Sequence, residues 1–235
     1  MASFSAAVLG ASGHVGDRVV TALLAEPRCE KILLIGRRSL PSFETEPRIQ
    51  QQVVDMHNLE MEATNLLRDA NIQMCFVTMG IGSPRRVSRD ELEQVDVKLP
   101  TAFARGAKAS ATVRHMALLT SVGANVDSKP SKLTGTAAGG GLYMHLKGLV
   151  EQNMQEVGFE SLGLFRPATL IGNANTPGWA AVASKSISWM LPTKYKEIHI
   201  DHLGEAMVKA AVTSLDAKGP AVKIYEGSSL FGLLK

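Results

Sequence analysis

Short apolar runs alternate along the chain with longer segments whose apolar residues recur at helical spacing. The runs typical of strands cover residues 6–9, 31–35, 51–54, 73–79, 113–121, 161–166 and 222–225. Alternating strands and helices predict right-handed βαβ units, and therefore an α/β fold in which a doubly wound parallel sheet carries helices on both faces. Residues 74–79, with the sequence MCFVTM, are typical of a central strand that is buried on both sides.

Helix signals fill the intervals between these runs, over residues 15–25, 59–68, 89–108 and 201–215. Ser88 precedes Glu91 by three residues, which predicts an N-cap at the start of helix 89–108. Thr176 before Pro177 predicts another helix start, and the two tryptophans that follow are expected to pack.

Two later segments depart from the alternating pattern. Residues 125–141, NVDSKPSKLTGTAAGGG, are polar and rich in glycine, which predicts a mobile loop; we hypothesise that it is a lid. Residues 172–200 are expected to form a small C-terminal substrate lobe over the sheet. Because no repeat or linker divides the chain, we expect residues 1–235 to form a single domain.

The composition is typical of a globular protein. Of the 235 residues 45% are hydrophobic, and a formal charge of +3 does not favour binding to nucleic acid. Cys29 and Cys75 lie far apart without a CxxC motif, which favours reduced thiols over a disulfide or a zinc site. No secretory signal and no apolar run of about 18 residues is present, so we expect a cytoplasmic protein without a membrane span.

A glycine-rich turn, AAVLGASGHVG, joins the first strand to the first helix through Gly10, Gly13 and Gly16. In a dinucleotide-binding turn the first glycine permits the tight bend, and the others allow close approach of the pyrophosphate and close helix packing. Backbone N–H groups at the helix start then face the phosphates. The alternative is a small-residue turn that serves packing alone. In this position the turn predicts a Rossmann-like, NAD(P)-binding domain.

The second strand ends in KILLIGRRS, where NAD-binding domains usually carry an acidic residue for the ribose. Arg37 and Arg38 stand there instead, and a guanidinium pairs with the 2′-phosphate that a carboxylate would repel. This favours NADP(H), the alternative being an ordinary solvated basic turn. Asp55, after the third strand, could accept a hydrogen bond from the adenine amino group or could cap a turn.

Tyr143 and Lys147 are four residues apart, which puts both on one face of a helix. A nearby ammonium favours the phenolate form of a tyrosine, so such a pair can exchange a proton with a carbonyl oxygen while hydride moves to or from a nicotinamide. Ser121, at the end of the preceding strand, can hold the reacting oxygen. Chance spacing of the pair, and a serine that caps its own turn, are the alternatives.

In this order, GASGHVG, LIGRR, LLTSVGA, YMHLKGLVE and FRPATLIG resemble the atypical short-chain dehydrogenase/reductase superfamily, and most closely its Tat-interacting oxidoreductase-like group. The resemblance covers residues 8–172, and more weakly to about 213. It implies that the cofactor is bound by Gly10, Ser12, Gly13, His14, Val15, Gly16, Arg37 and Arg38. It also implies a turn beside the nicotinamide at Arg166, Pro167 and Ala168, and a catalytic set of Ser121, Tyr143 and Lys147, with Lys147 also bonding the nicotinamide ribose.

Two features depart from the family pattern. Many relatives carry an asparagine on the fourth helix that supports a proton relay, whereas this chain has Asp96, and the polar insertion before Tyr143 is unlike compact members.

His14 has an alternative interpretation as a surface residue of the loop. His199, Asp201 and His202 form a cluster, but Asp201 as a helix cap explains it, so no metal is expected.

The leading hypothesis is therefore an NADPH-dependent oxidoreductase that reduces a small carbonyl substrate, with Tyr143 as proton donor. The alternative is an NADPH-sensing regulatory module that acts through a protein partner with little or no turnover. Neither the substrate nor the oligomeric state follows from the sequence.

Overall fold

The computed structural model describes residues 3–81, 87–131, 133, 136, 140–172, 192–215 and 221–235. Its main sheet has seven parallel strands in the order β3-β2-β1-β4-β5-β6-β9. These strands are β1 Phe4–Leu9, β2 Cys29–Gly36, β3 Ile49–Val53, β4 Met74–Val77, β5 His115–Leu119, β6 Ser161–Phe165 and β9 Ala221–Tyr225. The chain winds outward from β1 in one direction and from β4 in the other, so a crevice opens where their carboxyl ends meet.

Helices cover both faces of this sheet. They are α1 His14–Ala25, α2 Leu59–Asp69, α3 Arg89–Glu93, α4 Leu99–Ala109, α5 Gly141–Val157, α6 Ile200–Leu215 and α7 Ser228–Gly232. One buried cluster joins α2, α4 and α5 to the sheet, and a second joins α1 and α6 to its other face. The doubly wound, Rossmann-like sheet predicted from the sequence is confirmed.

The predicted helix 89–108 is interrupted by one wider turn. Ser88 caps its start, accepting a hydrogen bond from the Glu91 N–H at 3.1 Å, but residues Gln94–Lys98 form a π-helical turn between α3 and α4. Pro100 explains the interruption, because it has no N–H for the carbonyl four residues earlier and its ring crowds that carbonyl. A π turn relieves this conflict and inserts one extra residue on the side of the helix that carries Asp96.

The later segments differ from the expectation. A short parallel pair of strands, β7 Leu170–Ile171 and β8 Ile198–His199, brackets the expected substrate lobe and was not predicted. The rest of that lobe, including the helix start predicted at Thr176 and Pro177, lies outside the described residues. The loop 125–141 is described in part: its start packs on α5, where the Asn125 N–H bonds to the Met144 carbonyl at 3.1 Å.

Candidate functional site

The glycine turn lies at the crevice between β1 and β4. Gly10 has a left-handed φ of 100°, and an added Cβ would meet the backbone of Met79 at 2.5 Å. The Gly13 N–H donates to the Gly10 carbonyl at 3.0 Å, which closes the turn. Gly16 lies directly against Gly10, and its missing side chain lets α1 approach the sheet. The first and third glycines therefore have the conformation and the packing that a dinucleotide-binding turn requires.

A cavity of about 490 Å³ extends from this turn along the carboxyl ends of β1, β2 and β4. Gly10, Ser12 and Gly13 line one side, and Arg37 and Arg38 line another. The turn and the two arginines, which lie more than 20 residues apart in sequence, thus face one cavity. The described residues that line it include no aspartate or glutamate.

The loop that carries the two arginines is held by a side chain from β3. The Gln51 amide oxygen accepts a hydrogen bond from the Leu40 N–H at 2.7 Å, and its amide nitrogen donates to the Leu40 carbonyl at 3.0 Å. Both residues also line the cavity. Sequence analysis missed Gln51, and only its position beside the basic turn could have indicated the contact.

Three residues predicted to bind the cofactor, Asp55, His14 and Val15, do not line this cavity. Asp55 caps a short 3₁₀ turn, accepting from the His57 N–H at 3.0 Å and from Asn58 Nδ2 at 2.9 Å, and it does not line the cavity. These contacts agree with the alternative interpretation of Asp55 as the cap of a turn. His14 is exposed at the start of α1, whereas the Val15 side chain packs in the core, so only backbone groups of Val15 could reach a ligand.

Tyr143, Lys147 and Asp96 come together where α5 passes the end of β4. The Lys147 Nζ donates to Asp96 Oδ1 at 2.6 Å and lies 5.5 Å from the centre of the Tyr143 ring. Both charged residues are buried, with 5% of Lys147 and 2% of Asp96 exposed. Gly80 connects this group to the cavity, because it lines the cavity and its added Cβ would lie 2.9 Å from Asp96 Oδ1.

The electrostatics of this group favour the charged lysine. Burial alone lowers the pKa of an ammonium, but the negative charges of the Tyr143 phenolate and the Asp96 carboxylate, with a smaller effect of Glu151, outweigh burial and raise the pKa of Lys147. Lys147 is thus held as an ammonium, with its Nζ near the Tyr143 ring.

Ser121 follows β5 in a loop that packs on α5. Its hydroxyl donates weakly to the Val122 carbonyl at 3.4 Å, and the Val122 N–H bonds to the Pro167 carbonyl at 2.9 Å. The preceding Thr120 is buried and donates to Glu151 Oε1 at 2.6 Å. The strand predicted to end at Ser121 thus ends at Leu119, and Ser121 lies in the loop whose next residue, Val122, bonds to the turn after β6.

Arg166 is bound to carboxylates. Its guanidinium pairs with both oxygens of Glu151, which is buried on α5, and lies 3.6 Å from Glu226. These carboxylates raise the pKa of Arg166 above its ordinary value. Pro167 and Ala168 complete the turn but, like Arg166, do not line the cavity.

The remaining reactive residues have structural contacts. His199 Nδ1 lies 3.1 Å from Asp201 Oδ2, and among the residues that the structure describes no group of three or more metal-binding side chains is found. Cys29 and Cys75 are buried and not paired with each other, and burial raises the pKa of the Cys29 thiol to about 12.

Comparison with known proteins gives relatives in animals and fungi. The chain is 32% identical over 174 residues to Protein HTATIP2 of Rattus norvegicus, a match that covers 73% of this chain and 64%, less than two thirds, of the rat protein. It is 23% identical over 223 residues to Protein fmp52, mitochondrial, of Emericella nidulans, which covers 92% of this chain and 90% of that protein. No protein-family model matches the chain.

Solved structures give the same fold. MoeE5 in complex with UDP-glucose and NAD has a TM-score of 0.67 at 17% identity, covering 97% of this chain and 79% of that one. UDP-glucose-4-epimerase from Stenotrophomonas maltophila, with bound NAD and formylated UDP-arabinopyranose, has a TM-score of 0.69 at 14% identity, covering 97% and 80%. These similarities establish the Rossmann-like fold and, at such identities, nothing finer.

The expected cytoplasmic location is wrong by this comparison. Several of the relatives, including the fmp52 proteins of Emericella nidulans and Candida glabrata, are named mitochondrial. In the part of the chain that the structure describes, no helix is long and apolar enough to cross a membrane.

Proposed function

We propose that this chain, which is similar to Protein HTATIP2 and has a Rossmann-like fold, is a member of the atypical short-chain dehydrogenase/reductase superfamily and an NADPH-dependent oxidoreductase that reduces a small carbonyl compound. The observation that carries the proposal is the cavity at the crevice, which the glycine turn and two arginines line without any carboxylate among its described lining residues. A dianionic 2′-phosphate is attracted to such a site.

The residues present fit a dinucleotide. The bend at Gly10 and the amides at the start of α1 suit a pyrophosphate, and Arg37 and Arg38 suit the phosphorylated ribose. When bound, the nicotinamide would supply the hydride. Gly80 lies between the cavity and Lys147, which supports a nicotinamide ribose near that ammonium.

The catalytic roles belong to three side chains. Tyr143 donates its phenolic proton to the carbonyl oxygen of the substrate, and the Lys147 ammonium beside it stabilises the phenolate that remains. The Ser121 hydroxyl donates a hydrogen bond to the same oxygen and so holds the carbonyl in place. The proton on Tyr143 is restored from solvent after each turnover.

Paired titrations with NADPH and NADH test the cofactor proposal. We expect NADPH to bind more tightly, and the Arg37→Ala/Arg38→Ala variant to lose about 10- to 100-fold in NADPH affinity, as charge-assisted hydrogen bonds of about 1.5–3 kcal/mol imply, with little change for NADH. Arg105→Ala, at an exposed site on α4, is the matched control. Equal losses for both nucleotides would exclude the arginines from phosphate recognition.

The reaction is tested with Tyr143→Phe and a panel of small aldehydes and ketones. We expect the variant to bind NADPH as the wild type does but to oxidise it at least about 100-fold more slowly, the usual contribution of a general acid. Unchanged turnover would remove Tyr143 from the reaction.

A regulatory function is the second candidate, and the relationship to Protein HTATIP2 favours including it. In that case NADPH would bind at the same cavity and change the affinity for a protein partner. Tight NADPH binding without turnover of any carbonyl would support this function over the reductase.

The names of the fungal relatives also lead us to propose a mitochondrial location. Fractionation of cells that express the tagged chain tests this, and recovery in the cytosolic fraction alone would refute it.

A further inference from the structure

Asp96 is a buried carboxylate without an assigned role, at the one place where the helix 89–109 changes its geometry. It lies in the middle of the π turn Gln94–Lys98 and is 2% exposed. Isolated π turns in helices are frequent at functional sites, because the inserted residue changes the direction of its side chain. The neighbouring Val95 lines the cofactor cavity, so the turn lies at the edge of that cavity.

Each oxygen of the carboxylate has a partner. Oδ1 accepts from Lys147 Nζ at 2.6 Å, and Oδ2 accepts from the Ile81 N–H just after β4 at 3.3 Å. A side chain on Gly80 would crowd Oδ1, since its Cβ would lie 2.9 Å away. The backbone beyond β4 therefore orients Asp96, and Asp96 in turn fixes the end of the Lys147 side chain.

The other groups that face Lys147 cannot replace Asp96. Tyr143 and Glu151 lie on the lysine's own helix, and Glu151 is already bound to Thr120 and to the Arg166 guanidinium. A buried ammonium without a carboxylate partner tends to lose its proton. An ammonium has three donors, so the bond to Asp96 leaves two for the phenol and a ribose.

We infer that Asp96 is a positioning residue, which holds Lys147 as an ammonium in reach of Tyr143. This role rests on the proposed reductase function. Asp96 touches neither substrate nor cofactor in this arrangement and acts only through Lys147.

The first test needs no cofactor or substrate. The ε-CH₂ resonance of Lys147 is titrated in protein labelled with ¹³C-lysine, and its assignment comes from Lys147→Met. In Asp96→Asn, which keeps an oxygen acceptor but removes the charge, we expect the midpoint to move to lower pH, whereas Asp96→Glu should restore part of the shift. A midpoint equal to that of the wild type would overturn the inference.

A double variant keeps the test valid if Asp96→Asn folds poorly. Asp96→Asn/Lys147→Met leaves no buried ammonium, so we expect it to melt at a higher temperature than Asp96→Asn alone. If the double variant melts at the lower temperature that two independent losses would give, the two residues do not act as a pair.

Kinetics then connect the pair to the reaction. We expect Asp96→Asn to lower kcat by about tenfold or more, as loss of support for a general acid implies, and to leave KM nearly unchanged. The alkaline limb of the pH profile of kcat should move by as much as the titration midpoint of Lys147 moves. An unmoved limb would refute the positioning role. If the wild type itself turns over no carbonyl, the reductase proposal fails, while the NMR titration still decides whether Asp96 holds the lysine proton.

Discussion

Two alanine substitutions in the glycine turn separate folding from dinucleotide binding. A methyl group on Gly16 would lie 2.7 Å from Thr78 Oγ1 and 2.8 Å from the Gly10 carbonyl carbon. Carbon atoms in contact lie about 3.5–4.0 Å apart, so α1 would have to move from the sheet by roughly an ångström. Overpacking of this kind costs about 1–3 kcal/mol. For about 2 kcal/mol we expect the Tm of Gly16→Ala to fall by about 4–8 °C.

Gly13→Ala is the matched control within the same turn. Gly13 has φ −86° and ψ 160°, which alanine adopts freely, and the nearest atom to an added Cβ, the Gly10 carbonyl oxygen, lies 3.4 Å away. We therefore expect a stability change within about 0.5 kcal/mol. Because Gly13 lines the cavity, the methyl group should instead weaken NADPH binding by about tenfold, or about 1.4 kcal/mol.

Thermal unfolding followed by circular dichroism, together with NADPH titration by fluorescence, measures both effects. Gly16→Ala should lower the Tm, whereas Gly13→Ala should lower the NADPH affinity and leave the Tm nearly unchanged. Equal losses of Tm in both variants, or a Gly16→Ala protein that melts with the wild type, would show that the close contact between α1 and the sheet does not limit this turn.

Three further outcomes are expected. Gln51→Leu should lower the NADPH affinity more than the NADH affinity in the paired titration, because the loop of Arg37 and Arg38 loses both of its bonds to Gln51; equal effects would argue against a role of Gln51 in positioning. Glu151→Gln should lower the free energy of unfolding by about 1.5–3 kcal/mol, as loss of a hydrogen bond to a charged group does, because Arg166 is partly exposed and keeps Glu226 as a partner; a urea midpoint near that of the wild type would contradict this. Burial, with a smaller effect of Lys223, lowers the pKa of His115 from 6.5 to about 3. The folded state disfavours the charged ring, so the wild type keeps its full stability above pH 6.5 and loses stability as the pH falls from 6.5 towards 3. The urea midpoint of His115→Gln should decline less over that range than that of the wild type. Parallel declines of the two proteins would refute the lowered pKa of His115.

Much of the fold follows from local pattern. The strand-like runs placed all seven strands of the main sheet to within a few residues. For the central strands the reason is that a strand buried between two helix layers must be apolar over its length. The Ser88 cap was also predictable from spacing. The break at Gln94–Lys98 was not predicted, although Pro100 is a local signal that could have indicated it.

The candidate site divides in the same way. Sequence alone predicted the glycine turn, the two arginines and the pair of Tyr143 and Lys147 as candidates, because each is a short motif whose chemistry depends on residue type and spacing. It left Asp55 with two roles, and the tertiary structure favoured the cap.

Only the tertiary structure decided which charged side chains meet in the interior. Asp96 and Lys147 are 51 residues apart, and Arg166 and Glu151 pair across a helix and a strand. A buried charged group destabilises the fold unless an opposite charge lies next to it. Which residue supplies that opposite charge is determined by how β4, α5 and β6 pack together. The sequence by itself therefore determined the type of cofactor-binding fold and the candidate chemistry, whereas the packing of the sheet against α5 decided which carboxylate holds the lysine.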